Sequence, residues 1–482
     1  MNKQKLSLIL IIFFLSFTKS ESQTVTTNVG DVLTLKQSVD IAIKNNLVVE
    51  QTDIAKQQAQ ENKNQQFDYL FPQITGSGSQ QISTGRSLNP YTYQYVSQQI
   101  NYGNYSISAN LNLFSGLQTQ NSIKQSSLAY DASKLDLEQQ KQNITLTVLL
   151  AYLQVVGGQD QLDIIRRQAD VDKKQLERLD LQNKDGALLI LSDLSDLKGQ
   201  YASDLANIAG AVNTLETAKI NLFNVLNIPY KRDVQYEKMA LDLQMTDYAG
   251  NPDSIYHMAL STLPGIKSVD LKIRSFQKGV AAARGQYYPQ LYLGAGLSSN
   301  YSNQATTSIF GASAPVTTTD YVTVGGTNYN VITQQQSVTS KNISFSDQFN
   351  NNRATYISLN LTVPILNYFR ARNNVKLAKI NLQNAQYNAT SVRLVLQQNV
   401  EQAYQNMIMA SNQLKADQDA VDGYAESFRT FEIRFNEGVI TSNVYLQAKN
   451  NIDRATINLA IARYNYIFRE KILDYYEGKL SF

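Results

Sequence analysis

Few residues in this chain can do chemistry. His257 is its single histidine and cysteine is absent. That removes the Ser-His-Asp triad, His- or Cys-based metal centres, thiol nucleophiles and disulfides. Acidic pairs occur, Asp193 with Asp196 among them, yet no nucleophile–base set accompanies any of them. Such carboxylates serve helix surfaces or interhelical charge contacts. The chain therefore reads as a non-enzyme with no cofactor and no metal site. Charged residues make up 17% of the 482, and the formal net charge of +3 offers no electrostatic case for nucleic acid. The abundant functional side chain is tyrosine, with 29 copies. Tyrosine settles at membrane interfaces, so its excess acquires meaning only if a membrane span exists.

The elements that would position these residues are dominated by one stretch, Leu117 to Leu181, almost free of Gly and Pro. With heptad position a at Ile144, positions a continue through Ala151, Gly158, Ile165, Asp172 and Leu179. Positions d are Val148, Val155, Leu162, Ala169 and Leu176. This is a coiled-coil seam with one charged break, at Asp172. The same seam recurs with Leu396, Ala403, Ala410, Asp417, Tyr424 and Phe431 at a and Val400, Met407, Leu414, Val421 and Phe428 at d. The chain is thus an internal duplication, mainly α in an α+β fold. Residues 23–229 form a first repeat, 230–252 a connector and 253–482 a second repeat. The long helices are expected over about 117–183 and 368–435, each followed by a return helix, about 190–227 and about 441–477.

Ahead of the first repeat, Lys3 and Lys5 precede an apolar run, Leu6 to Phe17, and then a polar segment with Ser20 and Ser22. The layout is that of a secretory signal peptide over 1–22. No other apolar run reaches the length of a membrane-spanning helix, so a mature protein that crosses a membrane must do so as a β-barrel.

Four segments have strand character, about 72–86, 104–114, 289–302 and 353–364. Ile107, Ala109, Leu111 and Leu113 alternate with polar residues, as do Ile357, Leu359, Leu361 and Val363. Leu291, Leu293, Ala295 and Leu297 alternate with Tyr292, two glycines and Ser298. Each segment has the length that crosses a bilayer when tilted, with one apolar face and one polar or small face. Leu88 to Gly103 reads as a loop. So does 299–352, rich in Ser, Thr, Asn and Gly. Tyr91, Tyr93, Tyr95, Tyr292 and Tyr301 lie near strand ends as candidates for an interfacial girdle.

Four strands cannot close a barrel, and open edges in lipid are forbidden. Three copies supply twelve strands around a water-filled lumen. A helix of roughly 65 residues spans about 100 Å, close to the summed lengths of the two shorter helices of its repeat. Such helices suit the wall of a hollow cylinder. A secreted or surface-attached coiled-coil structural or adhesin protein is the alternative, and it needs neither lumen nor alternating strands.

Several segments, each present in sequence order and twice over, resemble the TolC-like outer membrane efflux family. They are Leu33-Thr34-Leu35 through Asn45-Asn46, the strands led by Pro72 and Pro289, Leu113-Phe114-Ser115-Gly116, Pro364-Ile365-Leu366-Asn367, and the two Gly-led tips. The resemblance implies a homotrimer in the cell outer membrane. Its 12-strand transmembrane β-barrel would be continuous with a long α-helical coiled-coil barrel in the periplasm. It implies work as the exit duct of a tripartite efflux pump or type I secretion system, passively conducting substrates. The partners would be a periplasmic adaptor and an inner membrane transporter of RND or ABC type. Carried over residue by residue, Gly186, Ala187, Leu188 and Leu189, and Gly438, Val439, Ile440, Thr441 and Ser442, match the adaptor-docking and gate tips. Plain helix C-capping accounts for the same glycines. Asp193 and Asp196 match a lumen acidic ring if one residue is inserted in the first tip, and a solvated helix face is the other reading. The second repeat departs from the acidic pattern with Val444 and Gln447.

Overall fold

The computed structural model describes residues 32–88, 93–184, 191–238 and 250–480. The signal-peptide segment and the first tip, Gly186 to Leu189, lie outside these residues, as does Tyr91.

Element lengths reproduce the duplication. In the first repeat, helices α1 (Leu35–Asn45), α2 (Leu47–Asp68), α3 (Gln118–Lys184) and α4 (Leu191–Leu226) have 11, 22, 67 and 36 residues. The second repeat has the same four lengths in α5 (Pro252–Thr262), α6 (Pro264–Gly285), α8 (Arg370–Asn436) and α9 (Ser442–Glu477). Short strands β1 (Val32–Leu33) and β6 (Gln235–Tyr236) pair in parallel. β6 gives local structure to the connector.

The chain packs as two compact units, and these cut across the sequence repeats. The first unit takes residues up to Gln58, Asp131–Leu271 and from Tyr387 onward. It is helical and holds two related cores. One packs α1 against α3 and α4 through Ala42, Val148, Tyr152, Val155, Leu222 and neighbours. The other packs α5 against α8 and α9 through Ala259, Val400, Met407, Leu414, Leu459 and neighbours. Tyr424 of the second seam is exposed, but the seam residues Val148, Val155, Val400 and Met407 have no measurable exposure. Each is worth about 1.5–3 kcal/mol of transfer free energy. Tyr152 stays compatible with this core because its hydroxyl donates to the Leu33 and Glu237 carbonyls at 3.0 and 2.9 Å. Helix α1 begins with a full capping box: Thr34 Oγ1 accepts from the Gln37 amide and Gln37 Oε1 accepts from the Thr34 amide, both at 3.1 Å.

The second unit, Ala59–Tyr130 and Lys272–Gln386, contains the antiparallel sheet. Strands β2 (Gln73–Ser83), β5 (Ile100–Ser115), β7 (Gln290–Ser302) and β10 (Ala354–Thr362) lie in the order β10-β7-β5-β2. The register aligns apolar residues row by row. Leu359 faces Leu293, which faces Leu111; Ile357, Ala295, Ala109 and Ile74 form the next row. The alternate rows are polar or small, as in Ser358, Gly294, Asn110 and Gln73.

Two expectations require correction. Residues 299–352 are not a loop. They hold the end of β7, then β8 (Thr306–Val324) and β9 (Thr327–Asn342), paired as a long hairpin, and α7 (Phe345–Asn351). Gly325 and Gly326, at φ 62° and 86°, make its two-residue turn. Neither face of this hairpin is covered, so its residues are under no pressure to alternate. The stretch Leu88 to Gly103 likewise holds β3 (Arg86–Leu88), β4 (Tyr95–Ser97) and the start of β5.

Candidate functional site

The four-stranded sheet presents large apolar side chains to the outside. Ile357 is 83% exposed, and Leu359, Leu361, Ile74 and Ile107 are exposed as well. The face is continuous, because the register stacks these residues across strands. Such a surface is costly in water and suited to hydrocarbon. Among the described residues no helix is long and apolar enough to cross a membrane. The sheet's outer strands, β2 and β10, have unpaired edges within the chain.

Aromatic residues gather at both ends of the sheet. At one end Tyr301, Tyr105, Phe345 and Phe349 form a cluster with ring centroids 5.2–5.9 Å apart. Tyr301 lies on the apolar side of β7, and α7 is held there by Ser299 Oγ, which donates to the Phe349 carbonyl at 2.8 Å. Tyr93 and Tyr95 are exposed next to the same end, in the β2–β5 connection. At the other end Phe71, Tyr288, Tyr368 and Phe369 are exposed where strands meet helices. Tyr292 belongs to the polar rows, between Asn112 and Asn360, and its hydroxyl donates to Gln290 Oε1 at 2.7 Å. The structure thus separates Tyr292 from Tyr93, Tyr95 and Tyr301. It adds Tyr105, Phe345 and Phe349, whose i, i+4 phenylalanine spacing in a short helix was the available signal.

Both strand-to-helix junctions turn through two successive left-handed residues. Gly116 and Leu117 both have φ 63°, and Tyr368 and Phe369 have 53° and 58°. Bulky residues rarely adopt this conformation. Its recurrence at matched places in the two repeats marks it as a fixed feature of the junction.

The helical unit builds the described tip. Helix α8 ends in a Schellman motif: Gly438 at φ 72° donates to the Phe435 carbonyl at 3.0 Å, and the Val439 amide donates to Arg434 at 2.9 Å. The α3–α4 hairpin then caps both arms of the α8–α9 hairpin. Arg178 Nη2 donates to the Asn436 carbonyl at 3.1 Å, placing a cation at the C-terminus of α8. Asp193 Oδ1 accepts from the Ser442 amide at 3.0 Å, and Asp196 Oδ2 accepts from Ser442 Oγ at 2.9 Å. That supplies the N-terminus of α9, whose own N-cap, Thr441, makes no side-chain cap bond. Within the chain, then, both carboxylates are engaged by the opposite tip. Below them Phe435 stacks on Tyr445 at 4.5 Å, among Leu179, Leu194 and Leu197. Ile440 is half-buried against this cluster, and Val439 projects into solvent. A cleft of about 620 Å³ lies between Arg178, Asp193 and the 438–441 turn.

Among the described residues no three His, Cys, Asp or Glu side chains converge as a metal site. An apolar-faced sheet is joined through tight junctions to paired long helices. The comparisons specify the class. The outer membrane efflux protein profile matches residues 39–227 and 255–474, and the chain belongs to that family. No curated protein sequence matches it. The fold is similar to that of the CmeC outer membrane channel of Campylobacter jejuni, with TM-score 0.68 and 17% identity over 92% of this chain and 86% of that one. The outer membrane protein VceC of Vibrio cholerae superposes with TM-score 0.72 at 13% identity, over 92% and 96%. The open state of the MtrE outer membrane channel of Neisseria gonorrhoeae gives 0.62 at 15%, over 93% and 89%.

Proposed function

We propose that three copies of this chain form a 12-strand barrel in the outer membrane, with the helical units extending into the periplasm. The assembly serves as the passive exit duct of a tripartite efflux pump or type I secretion system. The observation that carries this reading is the sheet: an exposed apolar face, a polar face, and two unpaired edges. Unpaired edges in hydrocarbon leave backbone N–H and C=O groups without partners, at several kcal/mol each. Pairing β10 of one copy with β2 of the next satisfies them, and the polar rows then line a water-filled lumen. The relatives described as outer membrane channels support this assignment.

The tips 186–189 and 438–442 are the docking and gating ends, meeting a periplasmic adaptor coupled to an inner membrane transporter of RND or ABC type. Asp193 and Asp196, three copies of each, add negative potential at that entrance and favour cations. Deleting Gly186–Leu189 is the test. The variant is expected to assemble into trimers in the membrane and to lose export. Export surviving in assembled trimers overturns the tip assignment, whereas failure to reach the outer membrane as a trimer overturns the barrel reading.

A further inference from the structure

The helical unit holds a cavity of about 540 Å³ between α3, α4 and α9. Its floor is a pair of adjacent glycines in the middle of α3. A Cβ on Gly157 would stand 3.0 Å from Tyr464 Cγ of α9, and one on Gly158 would stand 3.4 Å from Leu215 Cδ1 of α4. Tyr152 and Val155, on the opposite side of α3, pack into the core with α1. Glycine weakens a helix interior, and the duplication shows that the fold does not require it here. In the repeated seam Gly158 corresponds to Ala410, so Gly157 corresponds to Met409, whose side chain is exposed. The cavity therefore belongs to one repeat only.

Its walls differ in chemistry. Leu153, Ile461 and the Tyr464 ring supply apolar surface, while α4 supplies Asn213, Thr217 and Asn221. Helices α3 and α9 run antiparallel, since Gln139 bonds Tyr475 and Gln168 donates to the Asp453 carbonyl. That register puts Arg469 at the Leu153 end of the cavity and Ile461 at the other, roughly 12 Å along the helices. Arg469 is the single charged residue among those lining the cavity. It forms no ion pair among the described residues, and its guanidinium lies 5.2 Å from the Phe468 ring centroid. The nearby acids are engaged elsewhere. Asp160 accepts from the Tyr464 hydroxyl and pairs with Lys238 at 3.1 Å, and Glu216 pairs with Lys219 at 2.8 Å.

We propose that this cavity binds a small organic anion with a flat apolar body. Its carboxylate or sulfonate meets Arg469, the planar donor suited to such groups. Its body lies over Gly157 and Gly158 against the Tyr464 ring, where the missing side chains leave room for a flat molecule. The volume falls within the range of small-molecule sites, and an apolar lining with a few polar groups at fixed places is their usual composition. The site is built by the helical unit alone, so it stands or falls separately from the duct reading.

The test is calorimetric titration of the full-length protein in lipid nanodiscs, with empty nanodiscs subtracted. The probes are 2-naphthoate and its uncharged isostere 2-naphthamide. One saturable site per chain is expected, with naphthoate bound about tenfold more tightly than naphthamide. Arg469→Gln should weaken naphthoate about tenfold and change naphthamide less than about twofold. Thr217→Trp, at an exposed position of the α4 wall, should fill the cavity and abolish binding of both. Arg469→Gln decides the matter if Thr217→Trp does not fold. Absence of saturable binding to the unaltered protein overturns the proposal. So does equal affinity for the two probes, or binding of naphthoate that Arg469→Gln leaves unchanged. Channel activity enters none of these readouts.

Discussion

Gly116 and Gly438 show how two glycines with similar backbone angles are needed for different reasons. A Cβ on Gly116 would lie 2.3 Å from the Gly285 carbonyl oxygen and 2.6 Å from Tyr288 Cβ, so the junction itself would have to move. A Cβ on Gly438 meets nothing within 4 Å, and only its left-handed conformation resists substitution. Gly438→Ala is expected to cost about 1 kcal/mol. Gly116→Ala is expected to cost at least about 2 kcal/mol, the strain and the clash together. Thermal unfolding of the detergent-solubilised protein compares the two, and equal losses would refute the close approach at Gly116. Both glycines were visible in the sequence as turn and cap positions. The two acids Asp193 and Asp196 were also visible, but their bonds to Ser442 were not. Those contacts join residues about 250 positions apart, and no local pattern encodes such a pairing. Asp172 stood out in the sequence as a fault in the seam, and its ion-pair partner Lys449 comes from another helix.

At the scale of elements, sequence periodicity revealed what had one covered face. The long helices and the four main strands were legible because two unlike faces, one apolar and one polar or small, impose periods of 3.6 and 2. The β8–β9 hairpin was not legible because nothing covers either of its faces, and its Gly325-Gly326 turn was the one usable signal. The alternation in β10 yields a direct test. Leu359 lies on the exposed apolar face, and Asn360 belongs to the polar rows. Leu359→Lys should destabilise the protein folded in lipid vesicles by about 2–4 kcal/mol, and Asn360→Lys by less than about 1 kcal/mol. Urea titration in vesicles measures both. Equal tolerance at the two positions would mean that the sheet does not face hydrocarbon.

At the scale of the whole molecule, a single copy of the chain is incomplete. A single chain leaves β2 and β10 unpaired and the apolar face of the sheet bare. Its helical unit ends in a tip where residues of α3 and α4 cap α8 and α9. Membership of the outer membrane efflux protein family accounts for the fold, and the proposed closure by further copies would satisfy the edges. The most direct measurement is conductance of the purified protein in planar lipid bilayers, made beside Leu359→Lys. Discrete, stable current steps, each from one inserted trimer, are expected, with a sharp fall in insertion events for the variant. A protein that assembles and binds the bilayer yet never carries current would contradict a water-filled lumen.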